Sequence, residues 1–452
     1  MGLYDLLIRN GMVVTSSGSQ KLDLAIADGR LVAIEPQLSG SASTEIEASG
    51  LSLFPGVIDA HIHFNEPGRS EWEGFATGTR ALAAGGTTSF FDMPLNASPP
   101  TLDAQSFALK RQAAERASLV DFALWGGLVP SNLAQLEELA ACGVIGYKAF
   151  MCNSGIEDFS AVDDATLYEG MRLAARLHKL VAVHAEDEQI TGALAREARA
   201  QGRTGIRDYL NSRPVQAELE AMSRAIAMAE ETGCALHIVH VSSGRGVALV
   251  AEARASGSDI TCETCPHYLV LTEEDVERLG AVAKCSPPLR SQEEQKQLWE
   301  QVFQGNISFI GSDHSPAPAS MKTSEDFFQV WGGISGCQSL LALLLTEGYS
   351  VRDLPLSQLV SLTSEAVARR FSLPRKGRLN VGADADLVLV DLSAQTVLNE
   401  SDLYYRHRQS PYLGQTLRGK ILYTLVRGVP VYQQGSFPVQ NHGQLLTPDL
   451  RR

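Results

Sequence analysis

The chain has 452 residues, 44% of them hydrophobic and 20% charged, which excludes a largely disordered state. It is also too long for one domain of about 150 residues. Its 38 Lys plus Arg against 52 Asp plus Glu give a formal net charge of −14 without basic blocks, so neither nucleic acid nor an anionic membrane surface is an expected partner.

From the N-terminus, Asp5 and Arg9 interrupt the first apolar stretch, against a signal peptide. Leu6 stands where a myristoylation signal after Met1-Gly2 needs Ser or Thr. Residues 1–55 read as short strands: 4–8, an Asn10-Gly11 hairpin turn, 12–15, then 22–27, an Asp28-Gly29 turn, 31–34 and 44–48. From residue 56 the rhythm changes. Apolar β-branched runs at 56–64, 87–93, 122–128, 145–151, 180–185, 236–241, 260–268 and 307–313 alternate with helical stretches such as 167–178 and 215–231. Eight strands with intervening helices predict an α/β fold, a (β/α)8 TIM-type barrel over 56–374. A doubly wound sheet is the alternative, but no Gly-rich phosphate loop follows the first strand. The far end returns to strands at 377–379, 385–391, 421–427 and 429–432, too few for a core of their own. Residues 1–55 and 375–452 are therefore expected to pair into one small β-sandwich domain. No run of about 18 apolar residues predicts a membrane-spanning helix. The seven cysteines, Cys262 and Cys265 included, read as reduced thiols of a cytoplasmic protein.

Barrel enzymes work at the C-terminal ends of their strands. His61 and His63 end the first strand, two apart and so on one face, half of a zinc-type site. His184, His240 and Asp313 end the fifth, sixth and eighth. Lys148 stands inside the buried fourth strand, where an ammonium is costly. Its amine could lose its proton and take up carbon dioxide as a carbamate, an anionic ligand able to bridge two ions. Asp313 can both ligate and shuttle a proton. His237 is expected to face the helices, His178 to lie on a helix surface, and His267, near the end of the seventh strand, to support the site from behind.

The stretch Pro55-Gly56-Val57-Ile58-Asp59-Ala60-His61-Ile62-His63 resembles the opening of the amidohydrolase superfamily, and Gly382-Ala383-Asp384-Ala385-Asp386-Leu387-Val388 matches its flanking β-domain. The ordered set His61, His63, Lys148, His184, His240 and Asp313 is similar to that of the cyclic-amidase branch of dihydroorotases, hydantoinases (dihydropyrimidinases) and allantoinases. That resemblance implies two divalent ions, Zn2+ first with Mn2+, Co2+ or Fe2+ also compatible, bridged by N6-carboxylysine at Lys148. It also implies a homo-oligomer, dimer or tetramer. Asn65 replaces the arginine with which dihydroorotases grip a carboxylate, and the stretch after Lys148 lacks the hydantoinase tyrosine. The segments 66–74, 92–96, 284–288 and 331–334, with Tyr404-Tyr405-Arg406-His407, look like the allantoinase family. The implied substrate is a small neutral cyclic ureide, allantoin, opened to allantoate. Ser286 is then the leading substrate contact, with Asn96 and Ser315 candidates for the ureido arm. A hydantoinase is the enzymatic alternative, and a scaffold relative that has lost catalysis the non-enzymatic one.

Overall fold

The computed structural model describes residues 4–449. Residues 1–3, Met1-Gly2 among them, and residues 450–452 of the expected small domain lie outside that range. Eight parallel strands form the barrel: β1 (Val57–Ile62), β2 (Thr87–Asp92), β3 (Asp121–Leu124, continued at Gly126–Gly127), β4 (Tyr147–Phe150), β5 (Val181–His184), β6 (Leu236–Ile238), β7 (Ile260–Thr264) and β8 (Phe309–Ile310). β3 changes partner midway, because its first half pairs with β2 and its Gly-Gly continuation pairs with β4. A Cβ on Gly127 would stand 2.4 Å from Leu102 and 2.7 Å from Phe159, so only glycine admits that approach. The ring closes where His63 N–H donates to the His314 carbonyl at 2.9 Å and Ser312 N–H to Asp59 Oδ1 at 3.0 Å. Closure excludes the doubly wound sheet.

Helices return the chain between strands, and local chemistry sets their ends. Asp163 caps Asp164–Arg176 by accepting from Thr166 N–H, and Ser243 caps Gly244–Ala255 from Gly246 N–H. Pro214 precedes Val215–Thr232, which stops at Gly233 in the left-handed conformation, φ 66°. The lower half of the barrel is filled by an aromatic cluster. Phe371 lies 4.9 Å from Phe91, 5.5 Å from Trp125 and 5.9 Å from Phe309, ring centre to ring centre. The interior is therefore an apolar floor with its polar groups above it.

Strands from both chain ends share one hydrogen-bonded, eight-stranded sheet. Its centre joins Leu387–Val397 antiparallel to Ser52–Pro55, and that strand to Tyr4–Thr15. Leu6, Leu24 and Leu53 from one end and Ala385, Leu387 and Leu425 from the other form a common core. Asp28-Gly29 is a two-residue turn between Ala27 and Arg30, with both φ angles positive, as expected. Asn10-Gly11 is not a turn. Tyr4–Thr15 runs through it as one strand with a register shift between Ile8 and Gly11. Asn10, φ 60°, forms the bulge and its N–H donates to Asp23 Oδ1 at 2.8 Å, so a side chain replaces the missing ladder partner. The hairpin closes later, at Ser16-Ser17. Residues 377–379 are irregular rather than a strand.

Candidate functional site

The polar residues singled out in the sequence meet above the aromatic floor. The Nε2 atoms of His61 and His63 lie 3.2 and 3.4 Å from Asp313 Oδ1. The ring of His184 stacks on Phe150 at 4.6 Å and meets His240 edge-on at 4.5 Å, and His240 in turn lies 5.4 Å from His61. His240 and Asp313 sit just past their strand ends at φ 39° and 45°. Non-glycine residues seldom adopt that region, and such strain concentrates at functional sites. Lys148 lies two residues before Phe150, level with Ala182 of β5. It is fully buried, and its Nζ has no hydrogen-bond partner among the described residues. Burial lowers its pKa to about 8, with Asp313 and Glu263 pulling the other way.

A second layer of carboxylates holds these histidines, and the sequence reading missed it. Glu263 on β7 contacts His61 Nδ1 through one oxygen and His237 Nε2 at 3.3 Å through the other. Glu186, two residues after His184, accepts from that ring's Nε2 at 2.7 Å and from Arg213. Burial would raise both carboxyls, but His61 and His237 bring Glu263 to about 2, and Arg213 and His184 bring Glu186 to about 2. Each acid thus fixes the tautomer and orientation of a ring, the usual support for a metal-binding imidazole. A charged residue inside the strand Ile260–Thr264 was the available signal for Glu263.

Three expectations about histidines change. His237 faces the barrel interior, bonded to Thr261 and stacked on Phe309 at 4.7 Å. Regular alternation stops after Ile238, so counting back from His240 gives the wrong face. His178 lies beyond its helix, exposed, at φ 52°. His267 is not at a strand end, because Pro266 opens a short helix, Pro266–Val270, after β7 stops at Thr264. Its ring is buried, which lowers its pKa to about 4, and neither nitrogen has a hydrogen-bond partner among the described residues. Cys262 and Cys265 are both buried free thiols, as expected.

Above the site opens a cavity of about 260 Å³. His61, His63, His184, His240 and Asp313 line it, as do Ser286, Asn96 and Ser315. Ser286 Oγ lies 2.5 Å from the Tyr209 hydroxyl. A Cβ on Gly333 would strike the Ser315 carbonyl at 2.2 Å, so glycine lets the Trp331–Gly333 wall press against Ser315. Lys284 and Lys322 fasten that wall from behind. Lys284 donates to the Phe327 carbonyl at 2.6 Å and to that of Val330, and Lys322 to those of Trp331 and Gly333 at 3.0 and 2.7 Å. Asn65 is turned away, donating to the Pro316 carbonyl at 3.3 Å. The cavity nonetheless has a guanidinium, that of Arg213, which the sequence reading did not anticipate.

The donor set fits a divalent cation. One donor atom each from His61, His63 and Asp313 falls within 4.8 Å of the others, and so do atoms of Cys152, His184 and Glu186. The second group is the poorer site, because burial pushes the Cys152 thiol up to about 12 and Glu186 is engaged with Arg213.

The Amidohydrolase family matches residues 52–431. An allantoinase of Rubrobacter xylanophilus is 58% identical over 452 residues, covering 100% of this chain and 99% of that protein. An allantoinase of Deinococcus radiodurans is 54% identical, covering 98% and 99%. Among solved structures, L-hydantoinase (dihydropyrimidinase) from Arthrobacter aurescens superposes with a TM-score of 0.96 at 36% identity, covering 98% of this chain and 100% of that one. Dihydropyrimidinase from Brevibacillus agri gives 0.92 at 32%, covering 99% of each. Barrel, small sheet and likeness along the whole length agree, and the chain belongs to the amidohydrolase family.

Proposed function

We propose that the protein hydrolyses the hydantoin ring amide of allantoin, giving allantoate, with His61, His63, Lys148, His184, His240 and Asp313 holding two divalent ions. The carrying observation is the convergence of four imidazoles and Asp313 on one cavity, close to a fully buried lysine whose Nζ has no hydrogen-bond partner among the described residues. Carboxylation of Lys148 would turn a costly cation into a bridging anion and accounts for an Nζ that has no hydrogen-bond partner among the described residues. When bound there, such a centre, Zn2+ in the first instance, would acidify water and polarise a carbonyl. Asp313 takes the proton of the attacking water and delivers it to the ring nitrogen, which would otherwise leave as a strongly basic anion. The Ser286 hydroxyl, aligned by Tyr209, binds the ring, and Asn96 and Ser315 lie within the same cavity.

The cavity suits a small, neutral, polar ring. Glu186 offsets the charge of Arg213, and Asn65 points elsewhere, so a free carboxylate such as that of dihydroorotate is poorly matched. A hydantoinase or dihydropyrimidinase is the second reading, favoured by the superposition on the Arthrobacter enzyme. No helix among the described residues is long and apolar enough to cross a membrane, and the seven cysteines are unpaired. Both accord with the proposed cytoplasmic site of action, and a homo-oligomer is proposed on the family resemblance. The test is turnover of allantoin, hydantoin, dihydrouracil and dihydroorotate by metal-loaded protein, with metal analysis. Allantoin is expected to be the best substrate, dihydroorotate negligible, and two ions bound per chain. Preference for dihydrouracil or hydantoin would move the assignment to the second reading, and a metal-free, inactive chain would make it a scaffold.

A further inference from the structure

Arg213 occupies a position that the metal centre alone does not require. It precedes the helix Val215–Thr232, and its guanidinium lines the cavity with 18% of the side chain exposed. Nη1 is committed to Glu186. The plane lies 5.7 Å from the centre of the Tyr209 ring, whose hydroxyl meets Ser286. The backbone is fixed as well, since Arg290 donates to the Arg213 carbonyl and is itself paired with Glu218. The fork is therefore held rigidly between His184 and the serine expected to bind the ring.

Among the described residues lining the cavity, the other cation is Lys284, whose ammonium is spent on the carbonyls of Phe327 and Val330. Arg213 is thus the cation with donors left for a ligand. A guanidinium offers five N–H donors and no acceptor, and its charge is here offset by Glu186, so its complement is a neutral carbonyl rather than a second carboxylate. Allantoin differs from plain hydantoin by a ureido arm ending in such a carbonyl. We propose that Arg213 is the specificity-determining residue that donates to the ureido carbonyl of the substrate. This rests on the allantoin reading above, and deepens it by saying how the arm is distinguished from an apolar substituent.

The experiment compares wild type with Arg213→Lys, which keeps the charge beside Glu186 but loses the planar fork. Both are loaded with metal, and their metal content is measured. Two quantities are read: kcat/KM for allantoin, and the inhibition constant of hydantoin, which lacks the arm. If Arg213 reads the arm, kcat/KM falls about 10- to 100-fold, the scale of a lost hydrogen bond from a charged donor, while the hydantoin constant moves less than about threefold. Equal weakening of both ligands, loss of metal, or no effect on either overturns the proposal; the first two would place the role of Arg213 at the ring or at His184. Wild-type protein that leaves allantoin untouched but opens hydantoin would instead overturn the reading of the substrate.

Discussion

Two lysines are buried in this molecule under opposite circumstances. Lys376, at the junction of the small sheet with the barrel, is 4% exposed and donates to Asp121 at 2.6 Å and Asp386 at 2.7 Å, with Asp384 at 3.1 Å. Burial alone would lower its pKa, but Asp386, Asp121 and Asp384 raise it above the ordinary lysine value. Arg427 joins the same Asp121. Lys148, at the barrel mouth, is 0% exposed, its Nζ has no hydrogen-bond partner among the described residues, and burial lowers it. Burial of a charge therefore does not by itself mark function. A buried charge that is fully paired is architecture; a buried amine left without a hydrogen-bond partner beside convergent histidines is poised for chemistry.

The contrast breaks most readily at the mouth. Lys148→Ala should remove both ions and abolish detectable turnover, and short carboxylic acids should restore part of each by standing in for the carbamate. Full metal content and activity in that variant would end the bridging role. Asp313→Asn should keep the fold and much of the metal yet lose about 10²- to 10⁴-fold in kcat. A near-normal kcat with metal bound would transfer the proton step to another group, His267 first. One layer back, Glu263→Gln should weaken metal binding about 10- to 100-fold, because His61 exchanges a charged acceptor for a weaker, neutral one. Unchanged affinity in a metal titration would show that His61 needs no such support.

At the junction the readout should be stability instead. Lys376→Met leaves Asp121, Asp384 and Asp386 without their common cation, although Arg427 remains on Asp121. The expected cost is about 3–5 kcal/mol in denaturant unfolding, the scale of breaking a buried ion pair from one side. Metal content and kcat should be unaltered in the fraction that folds. If kcat fell with stability intact, the two lysines would not be separable into architecture and chemistry.

Which of these features could be read from sequence depends on how local their cause is. The barrel was legible because each strand is an apolar β-branched run and each helix a separate periodic stretch. His61, His63, His184, His240 and Asp313 were legible because they end such runs, and Lys148 because it interrupts one. Errors arose where a single residue overrides the period. Pro266 ends β7 early, the left-handed His240 breaks the alternation by which His237 was assigned, and the bulge at Asn10 mimics a turn. Glu186, Glu263 and Arg213 were missed for a different reason. Glu263 and Arg213 take their meaning from partners that only the closed barrel supplies, Glu263 reaching His61 across 202 residues and Arg213 reaching Glu186 across 27, whereas Glu186 also bonds its near neighbour His184. Lys376 escaped notice likewise, since its partner Asp121 is 255 residues away.

The smallest expected effect concerns pH. The folded-state pKa of Lys376 is raised above its ordinary 10.5, so near neutrality the amine is charged in both folded and unfolded chains and its stabilisation is fully present. As pH rises past 10.5, the unfolded chain releases that proton while the folded chain retains it. The unfolded state then binds fewer protons, and stability falls with further increase in pH. Wild-type protein should therefore lose unfolding free energy more steeply between about pH 10 and pH 12 than Lys376→Met, and the two curves should converge there. Lys148 works against this trend if unmodified, because a lowered lysine gains stability as pH climbs from about 8 toward its unfolded value. Comparing metal-loaded wild type with Lys376→Met holds the Lys148 contribution constant, so the difference between the curves isolates the junction. Parallel curves across that range would show that the three aspartates hold Lys376 no more tightly than water holds it in the unfolded chain.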